Sequence, residues 1–413
     1  MALPSIKKHD PYAAMRFLPF RFFVFARMTL TLGVQMQAVI VGWQIYQLTN
    51  NPLSLGLIGL TEAVPALSIS LFAGHFADHY NRKRIMMFSQ TVILIAYVAL
   101  ALVSLPAFKE FLKNNIWVIY FFVFTSGMVR GLFGPATSAF QGQLIPKKNY
   151  ANSVTWVSTI WQLSAMTGPA LAGFVYALTS ASFTYTLAAG LVLASIVFMM
   201  FVHGKPFRVK KSKSLFDSLS HGLRFVFKNQ VILSALSLDM FAVLFGGAVA
   251  LLPIFAADIL KTGSLGLGLL RAAPALGAML MAFALAHFPL NANAGRKMLM
   301  AVFGFGLCMI AFGISQNFYL SLFVLTVSGA LDNISVVIRG TIIQTMTPHH
   351  MRGRVSSVNH IFIGSSNEIG AFESGLAASL MGTVPSVVFG GTMTLFIVGI
   401  TSLIAPKLRK LNL

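Results

Sequence analysis

Residues 74–84 read GHFADHYNRKR, running from Gly74 through Asp78 to Arg82, Lys83 and Arg84. Apolar runs at 53–76 and 85–106 flank the polar part of this stretch. Each run is long enough, at about 1.5 Å per residue, to cross a hydrocarbon core of about 30 Å as a helix. A short turn carrying three cations between two such runs reads as a loop joining membrane spans. Gly74 permits close helix approach, Asp78 can cap the neighbouring helix end or meet an Arg, and the basic trio can anchor at lipid headgroups.

The composition agrees with that loop. Hydrophobic residues make up 56% of the 413 and charged residues only 10%, with a mean hydropathy of +0.78. The expected solvent is a bilayer, and the loops leave no room for a soluble domain. A net charge of +20 raises the question of a nucleic-acid partner. That reading needs a basic face on a soluble module, whereas these charges sit between spans, so no nucleic acid is expected. Cys308 stands alone in an apolar run and reads as a small packing residue. Met1 to Arg16 is polar and basic without a small-residue cleavage site after it, so the first span is expected to stay in the mature chain.

Working outward, spans are expected at 20–46, 53–76, 85–106, 116–140, 152–178 and 183–203, then at 230–257, 265–287, 298–314, 319–344, 355–380 and 386–405. Of these twelve, 298–314 is the shortest. With the N-terminus cytoplasmic, that side holds Lys7, Lys8, Arg16, Arg21, Arg82, Lys83, Arg84, Lys147, Lys148, Arg296, Lys297, Arg352 and Arg354, while the other keeps Lys109, Lys113 and Lys261. The positive-inside rule therefore predicts both termini in the cytoplasm. The segment 204–229 divides the chain into an N-terminal bundle, 1–203, and a C-terminal bundle, 230–413. Leu215, Leu219, Leu223 and Phe227 in its later part predict an amphipathic helix at the anionic inner leaflet.

One offset relates the two halves. Ser126-Gly127 aligns with Ser328-Gly329, Pro146 with Pro348, Gly168 with Gly370, and Gly173 with Gly375. Agreement across two spans and their loop implies two six-helix bundles related by a parallel repeat. The same offset aligns Arg130 with Asp332 at equivalent helix positions, which suggests that the bundles divide the charge roles of a central cavity.

The stretch 74–84 resembles the signature loop of the major facilitator superfamily, in which the Asp and first Arg help latch a gate. It departs from the family in having Asn81 where Gly is usual, and its second-half counterpart, His287 to Lys297, keeps Arg296-Lys297 without an Asp. Arg130-Gly131-Leu-Phe-Gly134-Pro135 is similar to the family's buried-Arg motif, and Gly168-Pro169-Ala-Leu-Ala-Gly173 to the glycine-proline motif of its exporters. Physically, small residues allow tight contact and Pro loosens the backbone ladder, which suits a pliable joint. Leu238-Asp239, Leu251-Leu-Pro253, Leu270-Arg271-Ala-Ala-Pro274, Arg352-Gly-Arg354 and Phe372-Glu373-Ser-Gly375 extend the resemblance over nearly the whole chain, toward the bacterial enterobactin-exporter branch. The resemblance implies a proton-driven exporter of a siderophore or amphiphilic drug in the bacterial inner membrane.

Five of the ten acids fall within spans: Glu62, Asp239, Asp332, Glu368 and Glu373. Carboxyls in a low-dielectric cavity can take up and release protons as neighbouring cations move, which is the chemistry proton coupling requires. Glu62 lies about 14 Å and 20 Å from the two ends of its helix. Asp332 and Arg339 share a face but sit roughly 10 Å apart along the axis, so each is expected to meet another helix. Glu368 and Glu373 differ by about 140° around theirs. Of these two, Glu373, between Gly370 and Gly375, is expected to face the cavity.

The expected fold is thus an all-α membrane protein of major facilitator type. Arg130 and Arg339 join the five acids as cavity or proton-coupling candidates. Gly74, Asp78, Arg82, Gly168, Pro169 and Gly173 are gating candidates, and Trp161, Phe241 and Phe245 could line an aromatic pocket. The expected partners are a small amphiphilic substrate, protons and membrane lipids, with the chain acting as a monomer. His75, His79, His287, His349, His350 and His360 are not arranged as metal ligands, no phosphate-cradling loop is found, and no cofactor is expected. A second reading, flipping of a lysophospholipid, predicts no strict proton dependence. An enzyme would need a nucleophile with a base at working spacing, which the chain lacks, and a sensor would need a signalling domain.

Overall fold

The computed structural model describes residues 10–203, 215–288, 293–348 and 351–412. Twelve long helices follow in chain order: α1 (Leu18–Thr49), α2 (Pro52–His79), α3 (Arg82–Val103), α4 (Trp117–Leu144), α5 (Tyr150–Leu178), α6 (Ala181–Met200), α7 (Gln230–Gly246), α8 (Gly263–His287), α9 (Ala294–Ile314), α10 (Phe318–Met346), α11 (Arg352–Met381) and α12 (Thr383–Ile404). Each expected span coincides with one of them, and the short ninth gains a turn at its start.

Asparagines begin several of these helices. Asn51, Asn81, Asn229 and Asn317 each accept amide hydrogens from the first turn, so donors that have no carbonyl partner within the helix are satisfied before the chain enters the bilayer. The seventh span departs from the expected continuous helix. It stops at Gly246, and residues 248–259 continue as short 3-10, α and π turns. The Gly246-Gly247 pair weakens the helix there, and Pro253 cannot donate to the backbone ladder.

Ten helices are long and apolar enough to cross a membrane among the described residues, and α5 and α11 are not of that number. The two carry Asn152, Thr155, Ser158, Thr159 and Gln162, and Ser365, Ser366, Asn367 and Glu368, respectively. Packing explains why such helices are tolerated. Within the first six helices α1 packs on α5 and α6, α2 on α4, and α3 on α4 and α6; within the second six α7 packs on α11 and α12, α8 on α10, and α9 on α10 and α12. The bundles then meet through α2 with α11 and α5 with α8, which buries part of each polar helix, Ser164 and Ser366 included.

The sequence repeat has the same contacts in both halves. Gly127 of α4 lies against Glu62 of α2, and Gly329 of α10 against Pro274 of α8. Gly168 lies against Gln35 of α1, and Gly370 against Leu244 of α7. Gly173 meets Gly268 across the α5–α8 crossing and Gly375 meets Gly56 across the α11–α2 crossing, where a Cβ on Gly375 would stand 2.6 Å from the Gly56 Cα. Only glycine permits that backbone approach.

Both crossings lie toward the end of the molecule away from the chain termini, here called distal. Along α5 the buried residues cluster between Ser164 and Gly173, with Ser153 and Ile160 also buried nearer its start, and along α8 they fall between Ser264 and Gly277. The closest backbone approach of the pair is distal, at Gly173 and Gly268. The linker helix Leu215–Lys228 packs on α11, with Gly222 against Arg354 and Val226 buried, leaving Phe227 exposed. The first part of the linker, 204–214, lies outside the described residues.

Candidate functional site

The centre is built from α2, α4, α8 and α11. Gly127 and Gly131, one turn apart, seat α4 on the backbone of α2 at Glu62 and Ala66. This places Arg130 beside Glu62, with which it forms an ion pair; 43% of the arginine side chain is exposed against 18% of the glutamate. Gly59, one turn along α2, admits the α11 backbone at Glu368. Glu368 lies in the field of two cations, Arg130 and Arg271 of α8. Arg271 also donates from Nη1 to the Ala38 carbonyl of α1 at 3.3 Å. The Glu62–Arg130 pair thus lies near Glu368 at the α2–α11 approach, and the charges of Arg130 and of Arg271 on α8 both act on Glu368.

A second pair lies inside the C-terminal bundle. Asp239 of α7 and Arg339 of α10 form an ion pair with side chains only 6% and 5% exposed, and Ser335 donates to Asp239 at 3.4 Å. Arg339 thus meets another helix, as its spacing from Asp332 implies. No ion pair is formed by Asp332 or Glu373 among the described residues. Glu373, the acid of α11 expected to face the cavity, stands apart from the two ion pairs. Gly370 and Gly375 do bring helices close around it, but both flanking cations lie on the Glu368 side of α11.

The loop at 80–84 also differs in detail from its expected chemistry. Asn81 is the N-cap of α3, its Oδ1 accepting from the Lys83 and Arg84 amides at 3.0 and 3.4 Å, so the residue standing in place of the usual Gly has a task of its own. Lys83 turns inward rather than to headgroups, donating Nζ to the carbonyls of Met200 and Val202 at 2.9 Å each, where α6 ends with unpaired acceptors. Arg82 opens α3, while the side chains of Gly74 and Asp78 lie outside the described set. Pro169 and Gly173 form the α5 side of the inter-bundle crossing, the Pro169 carbonyl facing Gly268, while Gly168 faces Gln35 of α1 within its own bundle. Trp161 and Phe241 are exposed and Phe245 half-buried, and no ring contact joins the three among the described residues. Likewise, no three His, Cys, Asp or Glu side chains converge as a metal site among those residues.

Sequence reasoning passed over Arg27, Tyr46, Asp258 and Arg271 as site residues. Tyr46 of α1 donates its hydroxyl to Asp258 in the π turn after α7, tying the bundles together at the distal end. The signal for Arg27 and Arg271 was available: a charge inside a span is functional by default, and that rule had been applied mainly to the acids.

Two six-helix bundles related by a repeat, meeting on two polar helix pairs around balanced internal charges, define a transporter of the major facilitator fold. The chain belongs to the transmembrane secretion effector family, which matches residues 9–412. It is 24% identical over 392 residues to the enterobactin exporter EntS of Shigella boydii serotype 18, covering 95% of this chain and 92% of that one. It is 23% identical over 412 residues to the multidrug efflux pump Tap of Mycolicibacterium fortuitum, covering 96% and 97%. Among solved structures, a D-xylose-proton symporter superposes with a TM-score of 0.76 at 12% identity over 96% of this chain and 100% of that one. A bacterial homologue of the human lysosomal transporter Spinster gives 0.71 at 14% identity, covering 95% and 96%. The chain is a transporter and not an enzyme.

Proposed function

We propose that the protein exports an amphiphilic small molecule, of siderophore or drug type, across the bacterial inner membrane by alternating access coupled to proton entry. The observation that carries the reading is the Glu62–Arg130–Glu368–Arg271 cluster at the joint between the bundles. Protonation of either carboxyl removes half of the negative charge that compensates two guanidiniums. The α2–α11 crossing then holds an excess cation, which favours rearrangement of the helices that carry it. The names of EntS and Tap support export as the direction.

The basic excess at the proximal end supports cytoplasmic termini and a cytoplasmic 204–229 linker, so that the distal glycine crossings are periplasmic and the halves part toward the cytoplasm. The halves 1–203 and 230–413 rock as units within a monomer. Gly168, Pro169 and Gly173 act as the joint on α5, and Gly74, Asp78 and Arg82 as the cytoplasmic latch. Membrane lipids surround the spans and meet the linker helix at Phe227.

Proton movement in proteoliposomes under an imposed pH gradient tests this, with an internal pH dye and siderophores, cationic drugs and lysolipids added in turn. Substrate-triggered proton flux is expected in the wild type, lost in Glu62→Gln and Glu368→Gln and retained in Glu373→Gln. Substrate movement without proton flux, unchanged by all three substitutions, would reject coupling and favour lipid flipping.

A further inference from the structure

Four arginines lie inside the spans away from their ends: Arg27, Arg130, Arg271 and Arg339. Three have an acid acting on them: Arg130 and Arg339 are ion-paired with Glu62 and Asp239, and Arg271 lies in the field of Glu368. Arg27 does not. Among the described residues no carboxylate pairs with it, and its Nε is enclosed without any acceptor. Its guanidinium lies over the Phe133 ring of α4, 5.1 Å from the centroid.

By helical rise Arg27 is about 13 Å from the proximal end of α1, well beyond the exposed Arg21 that can reach headgroups. A cation at that depth is costly without a counter-charge, and a ring face orients it without supplying a full negative charge. The residue as a whole is half-buried with its Nε enclosed, and its terminal amino groups make no hydrogen bond among the described residues. Phe133 stands one turn from Arg130 on α4, and the Phe23–Phe140 ring pair, 6.1 Å between centroids, continues the same α1–α4 seam. A guanidinium with free donors, held in place by the buried Phe133 ring, fits one kind of guest, an amphiphile bearing an anionic group.

We propose that Arg27, oriented by the Phe133 ring, binds the anionic group of the exported amphiphile, a carboxylate, sulfonate, phosphate or phenolate, on the cytoplasmic side of the Arg130–Glu62 pair. This rests on the export reading above. It also gives the neighbouring pair a role: a proton arriving at Glu62 leaves Arg130, a turn deeper, to compete for the anion, which draws the guest toward the centre.

The test is equilibrium binding to the full chain in nanodiscs of zwitterionic lipid, with fluorescein as an anionic probe and rhodamine 123 as a cation built on the same xanthene ring, both read by anisotropy. Fluorescein affinity is expected to fall about tenfold or more in Arg27→Gln and in Arg27→Met and to be largely kept in Arg27→Lys, while rhodamine 123 loses nothing. Fluorescein that ignores the wild type, binds regardless of residue 27, or is lost together with rhodamine 123 to the same degree in all three variants would overturn the site. Competitive displacement by anionic lipid would also overturn it and assign Arg27 to headgroups. Binding in the expected pattern without transport in proteoliposomes leaves the site standing and removes the export reading instead.

Discussion

At the scale of single residues, the buried charges fall into two kinds that one proton-flux assay would not separate. Asp239 and Arg339 are enclosed by α7 and α10, with Ser335 completing their hydrogen bonds, and neither approaches the crossing between bundles. Such a pair is costly to break from one side, because the survivor is left charged in a dry site. Asp239→Asn and Arg339→Met, made singly, are each expected to lower stability by about 3–5 kcal/mol, whereas the apolar double replacement Asp239→Leu with Arg339→Met recovers most of the loss. Thermal unfolding in detergent measures this cycle. Proton flux surviving in the double variant would mark the pair as structural, and its loss would make Asp239 part of the coupling.

At the scale of elements, the helix ends were only partly legible. Each span lies within a few residues of the boundary expected from its apolar run, because burial in lipid demands length and apolarity and both are written locally. The break at Gly246-Gly247 was not foreseen, since the residues after it are as apolar as those before and only their backbone differs. The partners of the charges were legible least. Which face of α11 meets Arg130 and Arg271 depends on the rotation of a helix from the other half of the chain, and spacing within α11 could not distinguish Glu368 from Glu373. Asn81 shows the same limit at a loop: its departure from the family pattern looks like a weakened turn until α3 is seen to begin on its side chain. Asn81→Ala is expected to cost about 1 kcal/mol, and Asn81→Gly only a few tenths. Hydrogen exchange at the Lys83 and Arg84 amides would report the difference, and an equal loss in both variants would show that the cap contributes little.

At the scale of the whole molecule, the two halves are held together distally by contacts of different strength. The glycine crossings at Gly56–Gly375 and Gly173–Gly268 bring backbones together without directional bonds, so they can part and close again with little cost beyond packing. The Tyr46–Asp258 bond is directional and joins α1 to the irregular turn after α7, a segment whose loosened hydrogen bonding lets it move apart from the helix before it. If the distal end is the gate that must open to release cargo, this bond has to break once in each cycle. With Cys308→Ser removing the native thiol, Tyr46→Cys and Asp258→Cys joined by a short bifunctional thiol reagent are expected to hold the distal end shut. Transport in proteoliposomes should then stop, and it should return on reduction. Binding of cargo from the proximal side should persist throughout, because the cross-link restrains the distal end alone. A cross-linked protein that still transported would require release by another route, such as between helices into the bilayer, and the distal crossings would then be static supports on which the proximal halves alone move.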